Sequence, residues 1–320
     1  MTRRTRLLGW LAVGVAAALA AVAVEAVVPD ARRAAATPLF QIEAAHAEHL
    51  PSLDGDRPIF VLLIGSDARP DEPVDASRAD SIHIVSFNPA TGGSAILGFP
   101  RDSWVEIPGG GTSKINDAMV EGGPDLLVQT LEALTGITID YWVLTSFEGV
   151  IRMVDDVGGV TIDIPFALDD PEYSRASFAP GVQTIDGRQA LAFARDRHDL
   201  PEGDFGRSEN QGRLVLAALA QLHAEFADDL GSVLTYLAAG LRSTTTSLPF
   251  DELLRLAFVA ARVDPTMVQN VVVPGDAVME GSSSVVRLDP DAPLLYADLA
   301  ADGVIDPANL PPSPNASLLE

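Results

Sequence analysis

Ile59-Phe60-Val61-Leu62-Leu63-Ile64-Gly65-Ser66-Asp67-Ala68-Arg69 is an apolar run that stops at a glycine and turns polar. Large apolar residues in a row, without alternation, suit a strand buried on both faces, as in the middle of an α/β sheet. Ligands of open α/β sheets gather at the carboxyl ends of strands. Asp67 therefore stands where a metal ligand would be placed, although an aspartate capping a loop or helix reads the same way. Outward from this strand, further strands are expected at 82–87, 94–99, 141–145, 160–164 and 270–273. Between them, Leu126, Leu127, Thr130, Leu131 and Leu134 recur at helical spacing and end at Gly136, a cap. Residues 147–157 read as a helix stopped by Gly158-Gly159. A long helical stretch covers 207–239, broken near Asp228-Asp229, and Pro249 opens a last core helix through Ala261. Strands and helices intermix from 59 to about 299 without a linker-like break, which predicts one α/β or α+β domain.

The chain has 320 residues, 47% hydrophobic and 21% charged, with no cysteine. That length supports a large buried core, and the composition excludes a disulfide-stapled miniprotein or a thiol catalyst. With five histidines and no cysteine, zinc has few candidate ligands. A formal net charge of −24 opposes general binding to nucleic acid backbones. All basic residues but Lys114 are arginine. Arginine is the better residue for forked phosphate contacts, though a GC-rich genome gives the same skew.

Residues 7–24 are uncharged and mostly apolar, and follow Arg3, Arg4 and Arg6. As a helix they rise about 27 Å, close to the hydrocarbon thickness of a bilayer. The arginines are expected to stay cytoplasmic, which sends the rest outside. An uncleaved anchor is expected rather than a signal peptide, because the run exceeds the usual signal core; Ala34-Ala35-Ala36 offers a cleavage site for the other reading. The expected organisation is a basic end and anchor at 1–28, an extracytoplasmic stalk at 29–57, a catalytic domain at 58–305 and a disordered tail at 306–320. The tail has four prolines and few large apolar residues.

Four polar segments fall at turns between the core elements. Besides the first, around Asp67, they are Arg78-Ala79-Asp80-Ser81, Pro100-Arg101-Asp102-Ser103, and the span from Arg195-Asp196-Arg197-His198-Asp199 through Gly203-Asp204-Phe205-Gly206-Arg207 to Gln211. Arg78 and Asp80 share a face if extended, or form a plain surface ion pair. Arg195 and Arg197 share a strand face if that segment is extended. Arg207 and Gln211 share a helix face, and a helix opened by Arg207 would offer its amino end to an anion. His198 reads as a base, a ligand or simply a solvated side chain. Arginine and aspartate loops together suit a magnesium–pyrophosphate site, since carboxylates hold Mg²⁺ and guanidinium forks clamp phosphate. Unrelated ion pairs are the plainer reading. No Walker loop or Gly-x-Ser-x-Gly elbow is present.

In these segments the chain resembles the LytR-CpsA-Psr family of membrane-anchored cell-wall ligases. The resemblance rests on those four segments in the family's order. It also rests on Lys114-Ile115-Asn116-Asp117-Ala118, Ile139-Asp140-Tyr141, Val157-Gly158-Gly159-Val160 and Val271-Val272-Val273-Pro274-Gly275. It implies a three-layer α/β/α sandwich around a mixed β-sheet with a hydrophobic, lipid-binding cavity, behind an N-terminal transmembrane helix. It further implies a phosphotransferase that moves a glycopolymer from a polyprenyl pyrophosphate carrier to a peptidoglycan hydroxyl. By position, Asp67 and Asp80 would bind Mg²⁺, or Mn²⁺ in its place. Arg78, Arg101, Lys114, Arg195, Arg197, Arg207 and Gln211 would grip the pyrophosphate, with Arg78, Arg101 and Asp102 closest to the chemistry. Asp102 is a candidate base, or a structural cap after Arg101. The same residues would serve a polyprenyl-pyrophosphate hydrolase, or a non-catalytic anchored binder that regulates lipid-linked wall polymers. At Asn210 the family commonly carries a basic residue, and Arg213 is the nearby candidate to compensate.

Overall fold

The opening strand is β1, Ile59–Ser66, buried except at Val61, Leu63 and Gly65, which are half-buried. It lies inside a six-stranded mixed sheet of the computed structural model, which describes residues 57–69, 71–229 and 231–318. The proposed anchor at 1–28, and the proposed stalk up to residue 56, lie outside the described residues. No helix among the described residues is long and apolar enough to cross a membrane.

In chain order β1 is followed by β2 (Ala79–Phe87), β3 (Ser94–Gly98), the hairpin β4 (Trp104–Ile107) and β5 (Gly111–Lys114), then α1 (Asp117–Thr135), β6 (Tyr141–Ser146) and α2 (Phe147–Asp156). Next come β7 (Val160–Ile164), the short hairpin β8 (Leu168–Asp170) and β9 (Ala176–Phe178), β10 (Gly181–Ile185), α3 (Gly187–Arg195), α4 (Asp204–Asp228) and α5 (Ser232–Ser243). The rest are β11 (Thr244–Thr246), α6 (Phe250–Ala260), β12 (Val268–Val272), the hairpin β13 (Gly275–Glu280) and β14 (Ser283–Leu288), and α7 (Ala292–Asp302). The sheet order is β11-β6-β1-β2-β3-β12. β1 pairs parallel with β6 and antiparallel with β2, and β3 pairs parallel with β12.

Side-chain alternation along β1 divides the core. Phe60, Leu62 and Ile64 cluster with Leu127 and Leu131 of α1 and with Leu295 and Leu299 of α7. Ile59 and Val61 pack instead with Val143, Leu253 and Leu256, the last two on α6. Successive strand residues point to opposite faces, so helices cover both sides of the sheet.

The local signals explain most element ends. Gly136 caps α1 in the left-handed region, its N–H donating to the Glu132 carbonyl. Ser146 caps α2 by accepting from the Gly149 N–H, and Gly158 and Gly159, both at positive φ, follow its end. Asp186 and Gln189 form a capping box on α3. The long helical stretch divides into α4 and α5 at the predicted place. The helix after Pro249 is followed by one more core helix, α7.

The tail departs from its composition. Residues 306–318 carry two 3₁₀ turns, Pro307–Asn309 and Ala316–Leu318, and Asn315 is 0% exposed. Its order comes from polar contacts to α4 that a count of prolines and apolar residues does not register.

Candidate active site

The register of β1 and β2 breaks at the point where the sequence turns polar. Gly65 pairs with Ser81 and Ser66 with Ala79, so Asp80 is the extra residue of a β-bulge. Bulges re-aim side chains, and Asp80 is buried at 6% exposure in an ion pair with Arg101. Gly65 permits this close approach, because a Cβ there would lie 2.9 Å from the Ser81 Cβ.

Around Asp80 the charges close into a quartet. Arg207 Nη1 lies 3.5 Å from the Asp80 carboxylate, and Arg207 also pairs with Asp204 three residues earlier on α4. Asp204 in turn accepts from the Arg101 backbone N–H at 3.1 Å. Burial works against the charge on Arg101, but the Asp80, Asp204 and Asp102 carboxylates outweigh it and raise its pKa. The Arg101 Nε is buried without a hydrogen-bond partner among the described residues. α4 opens at Asp204, not at Arg207, whose own N–H already donates to the Gly203 carbonyl. Asp204 sets a carboxylate in the first turn of α4, directed to the Arg101 N–H and the Arg207 guanidinium. Asp204 is a site residue that the sequence reading did not assign.

Asp67 stands at the exit of β1. Its carboxyl is pushed up, first by burial and then by the neighbouring Asp80 charge, with Arg101 and Arg78 opposing. Arg78, 62% exposed in its side chain, reaches Asp117 at 3.4 Å. Lys114 Nζ pairs with Asp102 at 3.1 Å. Gln211 donates to the Asp80 and Ala194 carbonyls at 3.2 and 3.1 Å, tying β2 to the end of α3.

Arg195 and Arg197 do not share a strand face. Arg195 is the last residue of α3, its guanidinium carbon 4.7 Å from the centre of the Phe147 ring, while Arg197 lies beyond the helix and is exposed. The intervening Asp196 is fully buried and pushed up to about 6 by burial and by Asp199 and Asp170. His198 is held by Asp170 at 3.1 Å and packs on Tyr173. Arg213 does not substitute at Asn210. It pairs with Glu209 at 2.7 Å, and the Asn210 amide is buried without a partner among the described residues.

Behind the quartet lies an apolar cavity of about 340 Å³. β1 and β6 line it with Leu63 and Val143, α2 with Val150 and Met153, and α4 and α5 with Leu214 and Ala239. Asp80, Arg195 and Gln211 also line it. The charged cluster and the apolar space therefore meet directly.

Among the described residues, no three Asp, Glu or His side chains converge on a point that could hold a metal. Mg²⁺ needs fewer, since it commonly takes one or two carboxylates and completes its shell with phosphates and water. Asp67 and Asp80 fit that need. The Asp80 charge raises the pKa of the Asp67 carboxyl, and no hydrogen bond ties up the Asp67 carboxylate among the described residues.

Residues 29–293 match the LytR_cpsA_psr family. A polyisoprenyl-teichoic acid–peptidoglycan teichoic acid transferase TagU of Bacillus mycoides is 34% identical over 214 residues, 65% of this chain and 67% of that protein. The Bacillus subtilis protein of the same name is 35% identical over 165 residues, 51% of this chain and 52% of the relative. These alignments span about half to two thirds of the relatives' length. Among solved structures, B. subtilis TagV superposes with a TM-score of 0.65 at 24% identity, covering 79% of this chain and all of that one. TagT bound to LIIa-WTA gives 0.63 at 23% identity, covering 77% of this chain and 91% of that one. These two establish a shared fold.

Proposed function

Because the chain belongs to the LytR-CpsA-Psr family, we propose that it is a phosphotransferase moving a glycopolymer from a polyprenyl pyrophosphate carrier to a sugar hydroxyl of peptidoglycan. The relatives named as teichoic acid transferases support a teichoic-acid-like polymer. The observation that carries the reading is the junction of the Asp80–Arg101–Asp204–Arg207 quartet with the apolar cavity. An amphiphile with a pyrophosphate head and a hydrocarbon tail matches both halves at once. Each buried CH₂ of the tail contributes about 0.8 kcal/mol, and the guanidinium groups grip the head. Helices on both faces of the sheet support the three-layer sandwich, with the lipid between the sheet and α2, α4 and α5.

In the reaction, the acceptor hydroxyl oxygen attacks the phosphorus that carries the glycan. The bond from that phosphorus to the bridging oxygen breaks, and polyprenyl phosphate leaves with the electron pair. Catalysis of this kind is mostly placement and charge neutralisation. Arg101 and Arg207 stabilise the phosphoryl oxygens, Arg195 reaches the head from the cavity wall, and Arg78, Arg197 and Lys114 extend the basic rim. Asp102, beside Lys114, takes the hydroxyl proton. Asp67 and Asp80 would hold Mg²⁺ or Mn²⁺, which supplies further neutralisation of the pyrophosphate charge. Gln211 fixes β2 against α3, so that Asp80 and Arg195 keep their places. The apolar run at 7–24 and the arginines before it support a single-pass anchor with the catalytic domain outside the cell.

The test is donor turnover by an Arg207→Lys variant. Lysine keeps the charge but loses the fork, and transfer is expected to fall by about tenfold or more. Full activity in that variant would remove Arg207 from the phosphate grip.

A further inference from the structure

The first turns of α4 are buried on every side, from Phe205 through Gly212. A helix that packs on a sheet ordinarily buries one stripe. Here Arg207 and Gln211 turn toward Asp80, and the Ser208 carbonyl meets His83 at 3.0 Å. Glu209 is about 200° around the helix from Arg207 and is covered by the tail.

Glu209 is a buried carboxylate, and such a group needs donors. Ser313 Oγ lies 2.7 and 2.9 Å from its two oxygens and shares its one proton with them, and Asn315 Nδ2 donates at 2.9 Å. The Asn315 N–H adds a contact at 3.3 Å, and Arg213 one at 2.7 Å. Asn315 Nδ2 also reaches the Gly206 carbonyl at 3.3 Å. Gly206 has to be glycine for this fit, since a Cβ there would collide with Asn315 Oδ1. Leu318 then packs on the cluster that holds Leu200 and Leu214, before and after the same turns. All three tail residues lie beyond residue 293, where the family match ends.

We propose that residues 313–318 form a strap that positions Arg207 from behind α4, with Glu209, Ser313 and Asn315 as positioning residues for the reaction. The proposal rests on the reading of Arg207 as a phosphate ligand. Arg207 is held on its front by acids that a bound pyrophosphate must share or displace. The strap fixes the helix backbone independently of those acids, so the guanidinium keeps its place when the head group arrives. A misplacement of about 1 Å is enough to cost catalysis heavily.

The experiment uses the full chain and compares Asn315→Asp, the exchange pair Glu209→Gln with Asn315→Asp, and Arg207→Ala. Asn315→Asp sets two carboxylates against each other. The exchange pair keeps both side-chain lengths and restores one amide against one carboxylate. The expected result for Asn315→Asp is a fall in kcat of about tenfold or more, an acceptor KM within about twofold, and faster hydrogen exchange over 204–212. The exchange pair is expected to recover most of both losses. Wild-type kcat in Asn315→Asp while Arg207→Ala is inactive would overturn the strap. So would a loss that the exchange pair does not recover. Activity in Arg207→Ala would instead overturn the phosphate-grip reading beneath it.

Discussion

Asp80 is the residue on which the site turns, because it is at once bulged, buried and paired with two arginines. Removing Arg101 would leave that carboxylate short of a partner, at a typical cost of about 3–5 kcal/mol. Asp80→Asn is the cleaner change: it keeps the shape and removes the charge. Transfer is expected to fall by about a hundredfold with an unchanged circular dichroism spectrum; retained activity would mean that the Asp80 charge has no part in the reaction. A second residue-scale prediction concerns Asp196, pushed up to about 6 by burial first and by Asp199 and Asp170 next. Between its unfolded value near 4 and about 6 the folded chain holds a proton that the unfolded chain has lost, so stability falls as pH rises through this window. Asp196→Asn is expected to melt above the wild type at pH 8, with the gap closing toward pH 4. A gap independent of pH would contradict that origin. Arg101 was legible in the sequence because it follows an apolar run, Asp80 because it precedes one, and Arg207 because it lies in a polar segment between helical stretches. Asp204 was not, since its contact with Arg101 spans 103 positions and exists only once β3 and α4 are side by side.

At the scale of elements, the bulge between β1 and β2 depends on Gly65. A methyl group there would press on Ser81 and force the strands apart. Gly65→Ala is expected to destabilise the fold by about 1–3 kcal/mol and to lower transfer by displacing Asp80; denaturant melts and rates check it together. Unchanged stability and rate would show that the bulge tolerates spreading. His83, on the same strand, is fully buried and its pKa is pulled down to about 4. Burial causes this, partly offset by its bond to the Ser208 carbonyl. With Nε2–H donating to that carbonyl, Nδ1 accepts from the Ser81 hydroxyl at 3.1 Å. Between about 6.5 and 4 the unfolded chain takes up a proton that folded His83 does not, so stability falls as pH drops through this window. The central strands and the helices at 117–135, 147–156 and 250–260 were readable because apolar runs and helical spacing survive in a single sequence. The hairpins at 104–114, 168–178 and 275–288 were not. Their strands are short, and several are half exposed, so burial imposes no pattern on them.

For the whole molecule, the decisive arrangement is an apolar cavity opening beside a charged cluster. Gly240 on α5 lines that cavity, and a Cβ there would meet nothing within 4 Å. Gly240→Leu should therefore fold, and gain about 0.8–1 kcal/mol of helix propensity per the usual glycine penalty. It is expected to slow turnover of long-chain donors much more than of donors with a single short isoprenoid. Equal effects on both would place the tail elsewhere. Of the tail expected to be disordered, 306–320, the described part to residue 318 is ordered for a related reason: it is held by a carboxylate more than a hundred residues away, which its own composition does not register. The most direct measurement is a transfer reaction with a polyprenyl-pyrophosphate-linked glycan, Mg²⁺ and a peptidoglycan oligomer, its products read by mass spectrometry. The expected products are a glycan–phosphate–peptidoglycan adduct and polyprenyl phosphate, both dependent on the metal and on Arg207. Free glycan phosphate with no adduct, or donor that binds and stays intact, would contradict the proposed transfer.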